Sequence, residues 1–141
     1  MKKLLIALLA ISPIANADAL YLGGWSSHLS GSKDNTGYEY NSNHELVAVE
    51  YSNVFIGAML NSYHARGYIA GYKFDLYETQ YIDLSLIAGG VHGYTEAQND
   101  IARIGSINGF LAPTVEFNTP YIKPTLTLFG TAAALMFKYE F

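Results

Sequence analysis

From Asp18 to Phe141 apolar and polar residues alternate in segments of about 9–12, and no run approaches the ~18–20 apolar residues of a membrane helix. Few folds satisfy both features. Side chains of a strand point alternately to its two faces, so a period of two gives each segment one apolar and one mixed face. Strands of this kind meet lipid only as a closed barrel, in which neighbours satisfy one another's backbone polar groups. Composition agrees. Charged residues are 14% of the chain, against about 25% in soluble domains, and twelve tyrosines dominate the aromatics.

Eight segments carry the pattern: residues 19–30, 43–52, 54–62, 65–76, 80–91, 104–117, 121–128 and 131–141. Their connections alternate in length. Residues 31–42 and 95–103 are long and polar, whereas Ser52-Asn53, 77–79 and 118–120 are short. Long loops at one end and tight turns at the other are the habit of outer-membrane barrels. The brief Phe129-Gly130 link is the exception, because a long loop is due there. In the last segment Ala133, Leu135, Phe137, Tyr139 and Phe141 share one face, and Ala134, Met136, Lys138 and Glu140 the other. It stops on an aromatic, the feature by which barrel assembly machinery reads a terminal strand; an edge strand of a soluble periplasmic sandwich is the plainer reading. The expected fold is all-β, an eight-stranded antiparallel up-and-down transmembrane β-barrel over residues 18–141. A bacterial outer membrane is the expected location and a monomer the expected state.

Residues 1–17 stand apart. Lys2 and Lys3 precede an apolar run, 4–11, too short to span a bilayer, and Ala15-Asn16-Ala17 has the small-x-small form of a cleavage site. The segment reads as a signal peptide cleaved from the mature chain. Without Lys2 and Lys3, six Lys and Arg face twelve Asp and Glu, a net charge of about −6. That excludes nucleic acid as an expected partner, because phosphates call for a basic surface. With no cysteine, neither a disulfide nor thiol chemistry is available.

Parity assigns the interior. On the first strand Tyr21 and Trp25 suit the lipid face, which turns Leu22, Gly24, Ser26 and His28 inward. Glu50, Lys73, Asp83, Lys138 and Glu140 then form a charged plug in the periplasmic half, and Leu22, Gly24, Gly57, Met59, Ile87 and Gly89 leave the outer half small and apolar. Eight strands enclose a lumen that side chains nearly fill or that holds one small ligand, so a general pore is not expected. The small apolar positions suit a hydrocarbon chain, or they relieve crowding where strands bend. His28 falls near the outer mouth, where an imidazole acts as a general base toward a hydroxyl or serves as a polar rim residue. The histidines His28, His44, His64 and His92 show no ligand spacing with a carboxylate, and no phosphate loop or nucleophile elbow is present. Neither metal nor cofactor is expected.

Several short motifs resemble the lipid A palmitoyltransferase (PagP) family. Asn61-Ser62-Tyr63 followed by Tyr68-Ile69-Ala70-Gly71-Tyr72 is similar to an Asp-Ser pair that closes one strand of that family and an Ile-Ala-Gly-Tyr run that opens the next. Trp25-Ser26-Ser27-His28 resembles the Trp…His segment of its first strand, and Phe110-Leu111-Ala112-Pro113 its later Leu-Pro break. These motifs touch about a third of the mature chain. The resemblance implies transfer of a palmitoyl chain from a phospholipid donor to lipid A, with His28 as the catalytic histidine, Ser62 as the serine and Asn61 in place of the aspartate. The chain also departs from the family. Asn61 carries no charge to orient an imidazolium, Lys73 aligns with the glycine that sets acyl length, and no amphipathic helix precedes the first strand. Strict alternation places Asn61 inward and Ser62 outward, so both serve only where the strand loosens. Pro113 and Pro124 remove ladder donors; they open a seam for sideways passage of lipid, as the family's prolines imply, or they mark strand ends or bulges.

Two other readings fit. A non-enzymatic small barrel of the OmpA/OmpX type, structural or surface-interacting, places its activity in 31–42 and 95–103. A deacylase or lipase uses His28-Leu29-Ser30, whose i and i+2 side chains share a strand face. That spacing resembles the His-x-Ser pair of the lipid A deacylase (PagL) family, where the pair lies late in the barrel.

Overall fold

The computed structural model describes residues 18–141; the signal peptide expected over 1–17 lies outside the described residues. The strands are β1 Ala19–His28, β2 Asn43–Tyr51, β3 Val54–Leu60, β4 Arg66–Glu78, β5 Ile82–His92, β6 Arg103–Ile104, β7 Ile107–Phe117, β8 Ile122–Phe129 and β9 Ala132–Glu140. All pairings are antiparallel. The order runs β5-β4-β3-β2-β1-β9-β8-β7, and β5 pairs with β7 from Ile82↔Phe117 to His92↔Ile107, which closes the sheet. Eight strands therefore form an up-and-down barrel, as the alternation predicts. β6 is only a two-residue arm folded onto the start of β7 through Gly105, at φ 62°. The expected segment 104–117 thus joins the barrel wall only from Ile107.

Local chemistry sets the ends. Ser52 and Asn53 both take left-handed φ, 46° and 67°, the two-residue hairpin geometry whose twist matches its flanking strands. The start of β1, the end of β9 and the turns joining β2 to β3, β4 to β5 and β7 to β8 share one end of the barrel. The longer connections, 29–42 and 93–102, share the other with the 61–65 turn and the brief Phe129-Gly130 link.

β1 corrects one expectation. Tyr21 faces inward and is 1% exposed, whereas Leu22 faces outward at 47%. Against β9 the register passes from Gly23↔Met136 to Trp25↔Leu135, so Gly24 is an extra residue and the parity of β1 reverses there. Gly23 and Gly24 adopt φ of 108° and 80°, and a Cβ on Gly23 would lie 2.5 Å from the Trp25 ring. Glycine is required at that step. Beyond the bulge the expected sides hold, with Trp25 exposed and Ser26 and His28 lining the lumen.

The lumen has two layers. At the turn end Tyr21 donates to Glu50 Oε2 at 2.5 Å, and its ring meets Phe55 edge-on. Lys73 lies 3.0 Å from Glu50, Lys138 lies 3.0 Å from Glu116 and 3.1 Å from Glu140, and Lys123 lies 2.9 Å from Glu140. Lysines match glutamates here, and buried charges need such partners. Glu116 and Lys123 join the expected plug, but Asp83 does not. Its carboxylate accepts from the Thr79 amide at 3.3 Å and from Asn118 Nδ2 at 2.9 Å, which ties it to the turn ends of β5 and β7. The outer face is apolar, with Val47, Ile56, Tyr68, Leu111 and Leu126 exposed; the exposed Tyr51, Tyr77, Tyr81, Tyr121 and Tyr139 gather at the turn end.

Candidate active site

Past the ionic layer the lumen widens into a cavity of about 780 Å³, within the roughly 300–1,000 Å³ of small-molecule sites. Phe55, Ile69, Ile87, Ala112 and Met136, all buried, form its deep end. Lys138 follows Met136 on the same face of β9 and begins the ionic layer that closes the cavity. From Ala132, opposite His28, to Met136 the strand advances roughly 13 Å at about 3.3 Å per residue. Gly24, Met59, Ile87 and Gly89 line this space as expected. Leu22 does not, for the reason given by the bulge, and Gly57 is occupied by packing: a Cβ there would lie 2.7 Å from that of Ala48.

Polar residues gather at the mouth. His28 ends β1, with Nε2 3.1 Å from Ser62 Oγ and Nδ1 3.4 Å from Thr131 Oγ1. Its ring stacks on Tyr40 with centroids 3.9 Å apart. Ser62 reaches the lumen because β3 stops at Leu60 and 61–65 turns back, the Asn61 amide donating to Ala65 O at 2.8 Å. The strand loosens at the position where joint inward placement of Asn61 and Ser62 requires it, and both are buried. Asn61 does not bond His28. Its Nδ2 donates to Gly93 O at 2.8 Å, and its Oδ1 accepts from the amides of Tyr63 at 2.9 Å and Ala65 at 3.1 Å. The side chain builds the turn that aims Ser62.

A second pair lies beside the first. Ser26 Oγ is 2.6 Å from His44 Nε2, and His44 Nδ1 is 2.7 Å from Leu60 O. A carbonyl only accepts, so in the neutral ring Nδ1 carries the proton and Nε2 accepts from the Ser26 hydroxyl. Sequence reasoning left this pair unmarked. The two residues are brought together by β1–β2 pairing across an irregular step, where Gly23↔Leu46 gives way to Trp25↔Asn43 and Glu45 takes a φ of 45°. The signal within reach was the inward parity of Ser26. His28 and Ser30 do not share a strand face, because β1 ends at His28, whose carbonyl accepts from the Gly31 amide in a turn.

His64 and His92 stand elsewhere, the first bonded to the Tyr38 hydroxyl at 3.0 Å and the second beside Tyr68 on the outer wall. Among the described residues no group of three or more His, Cys, Asp or Glu could hold a metal ion. The loop over the mouth is tied by Asp34, whose Oδ1 accepts from Thr36 Oγ1 at 2.6 Å, from the Thr36 amide at 2.8 Å and from the Tyr38 amide at 2.9 Å. The Thr36 hydroxyl bond and these amides hold its carboxyl below the usual aspartate range. Burial, with Tyr40 and Asp34 nearby, pushes the Tyr63 phenol up to about 12, so it remains a donor toward Asp34 Oδ2 at 3.3 Å.

The wall beside the cavity is thin in one place. The β7–β8 ladder comprises Thr114↔Thr127, Val115↔Leu126 and Glu116↔Thr125 and stops there. Toward the loop end the rings of Phe110 and Phe129, centroids 4.6 Å apart, span the gap and line the cavity. No family model matches the chain and no curated protein matches it, so the reading of the site rests on its geometry.

Proposed function

We propose that this protein is an outer-membrane acyltransferase of the lipid A palmitoyltransferase type, which moves an acyl chain from a phospholipid to lipid A. One observation carries the reading: His28 and Ser62 meet at 3.1 Å at the mouth of an apolar cavity that ends on a closed ionic layer. A non-enzymatic barrel of this size needs no such space, since side chains nearly fill an eight-stranded lumen. The apolar outer wall and the tyrosines at the turn end suit a bilayer and its interface. That supports the outer membrane as the location.

In this reading a hydrocarbon chain fills the cavity and its ester lies among the polar residues of the mouth. With Nε2 held by Ser62, His28 takes the proton of an acceptor hydroxyl on Nδ1, whose contact to Thr131 Oγ1 is the looser at 3.4 Å, and the hydroxyl oxygen bonds to the acyl carbonyl carbon. The donor's ester C–O bond breaks, and the proton passes to the leaving glycerol oxygen. Ser62 holds the imidazole, and Asn61 positions Ser62. The gap between β7 and β8 supports sideways admission of the donor's chain from the surrounding lipid.

Lipid A from cells expressing the protein should gain the mass of one acyl chain, and His28→Ala should abolish the gain. Unchanged lipid A in cells with correctly folded, surface-located wild-type protein would defeat the reading and leave the non-enzymatic barrel.

A further inference from the structure

We infer that Ser26 is a nucleophile and His44 its base, so that the chain passes through an ester on Ser26 before it reaches the acceptor. The inference rests on the acyltransfer reading and divides it into two steps. Its basis is a difference between the two Ser–His pairs. His28 Nδ1 faces a hydroxyl at 3.4 Å, which both donates and accepts and leaves the tautomer open. His44 Nδ1 faces the Leu60 carbonyl at 2.7 Å, which fixes the proton on Nδ1 and the lone pair on Nε2, 2.6 Å from Ser26 Oγ. Nucleophile, base and orienting acceptor are thus all in hydrogen-bond contact, the arrangement that activates a serine hydroxyl.

Position agrees with chemistry. His44 is buried, so the base is shielded from bulk water, while Ser26 and His44 both line the cavity. Gly24 stands two residues below Ser26 on the same side and also lines the cavity, so the space beneath the hydroxyl is free of a side chain. Ser26 and His28 share one face of β1 at i and i+2, within about 7 Å of each other. A carbonyl carbon held at the mouth lies near both.

In the first step Ser26 Oγ attacks the ester carbonyl of the bound lipid and His44 Nε2 takes the hydroxyl proton. The tetrahedral adduct collapses with cleavage of the ester C–O bond, and His44 gives the proton to the departing glycerol oxygen. The products are a lysophospholipid and acyl-Ser26. In the second step the acceptor hydroxyl attacks that ester, His28 takes its proton, and Ser26 leaves as an alkoxide that is reprotonated from His28. No redox partner or metal is involved, and the sum is one ester exchanged for another.

The test uses the full mature chain folded in detergent, with p-nitrophenyl dodecanoate as the probe. The expected result is a burst of nitrophenol and one added dodecanoyl group, located on the peptide containing Ser26. Ser26→Ala should carry no adduct. His44→Gln should slow its formation by about 10²-fold or more, and His28→Gln should let it accumulate because the second step is impaired. Ser26→Cys guards against a folding defect, since its adduct would be a thioester cleaved by neutral hydroxylamine. An adduct on a residue other than Ser26, no adduct in wild type that turns over the probe, or full lipid A acylation by Ser26→Ala would overturn the inference; the last leaves the acyltransferase reading intact. Acyl-Ser26 in a protein whose host lipid A is unchanged would support the nucleophile and remove the acyltransferase reading.

Discussion

Pro113 and Pro124 bound the same short ladder. In the register of β7 with β8, the next pair toward the loop end would be Pro113 with Leu128, and the next toward the turn end Phe117 with Pro124. Each proline lacks the amide hydrogen that would extend the pairing. Both stay inside their strands on the other side, Pro113 opposite Leu86 and Pro124 opposite Phe137. They therefore weaken one seam of the barrel and leave its neighbours whole. Across that seam the Thr114 and Thr127 hydroxyls meet at 2.8 Å, and Thr127 Oγ1 donates to Pro113 O at 3.4 Å.

Replacing Pro113 should close the seam. Pro113→Leu restores a donor toward β8, so the barrel should gain about 0.5–1.5 kcal/mol, the worth of an ordinary hydrogen bond, read as a higher denaturant midpoint in detergent. Acylation from bilayer phospholipid should slow in the same variant, because the Phe110–Phe129 gap can no longer widen. A variant that is more stable yet acylates lipid A at the wild-type rate would show that the chain does not pass between β7 and β8.

The ionic layer makes a second prediction. Lys138 touches Glu116 and Glu140 and stands 3.9 Å from Glu50, and its side chain is almost wholly buried. Lys138→Met would leave these carboxylates with too little positive charge in a closed lumen. Removal of one member of a buried ionic group costs about 3–5 kcal/mol. Unfolding in urea should show that loss, and Glu116→Gln in the same chain should restore much of it. If the double variant were as unstable as the single one, packing of the lysine stem rather than charge balance would explain its place.

The barrel was legible because alternation depends only on position along a strand. β2, β5 and β9 keep one parity from end to end of their inward faces, and β4 does so as far as Asp75, where the register with β5 shifts before Tyr77; Val47, Tyr72, Leu84 and Phe137 fall on the outer side that period two assigns. β1 was misread below the bulge because one extra glycine is enough to exchange Tyr21 and Leu22, and two adjacent glycines do not announce which of them is extra. His28 was found through the inward parity of the outer part of β1 and again through a short motif, whereas Ser62 was found through a motif alone, because parity places it outside. Only the turn at 61–65 brings it in. Ser26 with His44, and Glu116 with Lys138, escaped because their partnership is set by register, across an irregular step between β1 and β2 and across the lumen between β7 and β9, and such register leaves no local mark in a sequence.

The loop over the mouth carries a pH prediction. Asp34 is held below the usual aspartate range chiefly by the Thr36 hydroxyl, with help from the Thr36 and Tyr38 amides. A carboxyl whose folded value is depressed contributes order that is complete above its ordinary value and is lost as pH falls through the lowered one. The amide signals of Thr36 and Tyr38 should therefore titrate together with a midpoint below that of an unconstrained aspartate, while Asp34→Ala should loosen the loop at neutral pH. Tyr63, pushed up to about 12, stays protonated through this range and should not contribute. Separate midpoints for the two amides would mean that Asp34 does not organise the loop.

Asn61 provides the sharpest test of how the site is built. In the palmitoyltransferase family whose short motifs the sequence resembles, an aspartate precedes the serine, so the proposed acyltransferase reading would by itself favour Asn61→Asp. The hydrogen bonds argue the opposite. Oδ1 accepts from the Tyr63 and Ala65 amides, a role aspartate can keep, but Nδ2 donates to Gly93 O at 2.8 Å and a carboxylate oxygen cannot. The residue is fully buried, so the substitution sets a charged oxygen against the Gly93 carbonyl and should cost at least about 1–3 kcal/mol. Because the same turn aims Ser62 at His28, acyl transfer should fall along with the unfolding midpoint. Asn61→Ala, which introduces no charge, should keep more stability than Asn61→Asp. A rise in lipid A acylation with Asn61→Asp would instead mean that the turn can rearrange, and that the carboxylate then reaches the imidazole of His28.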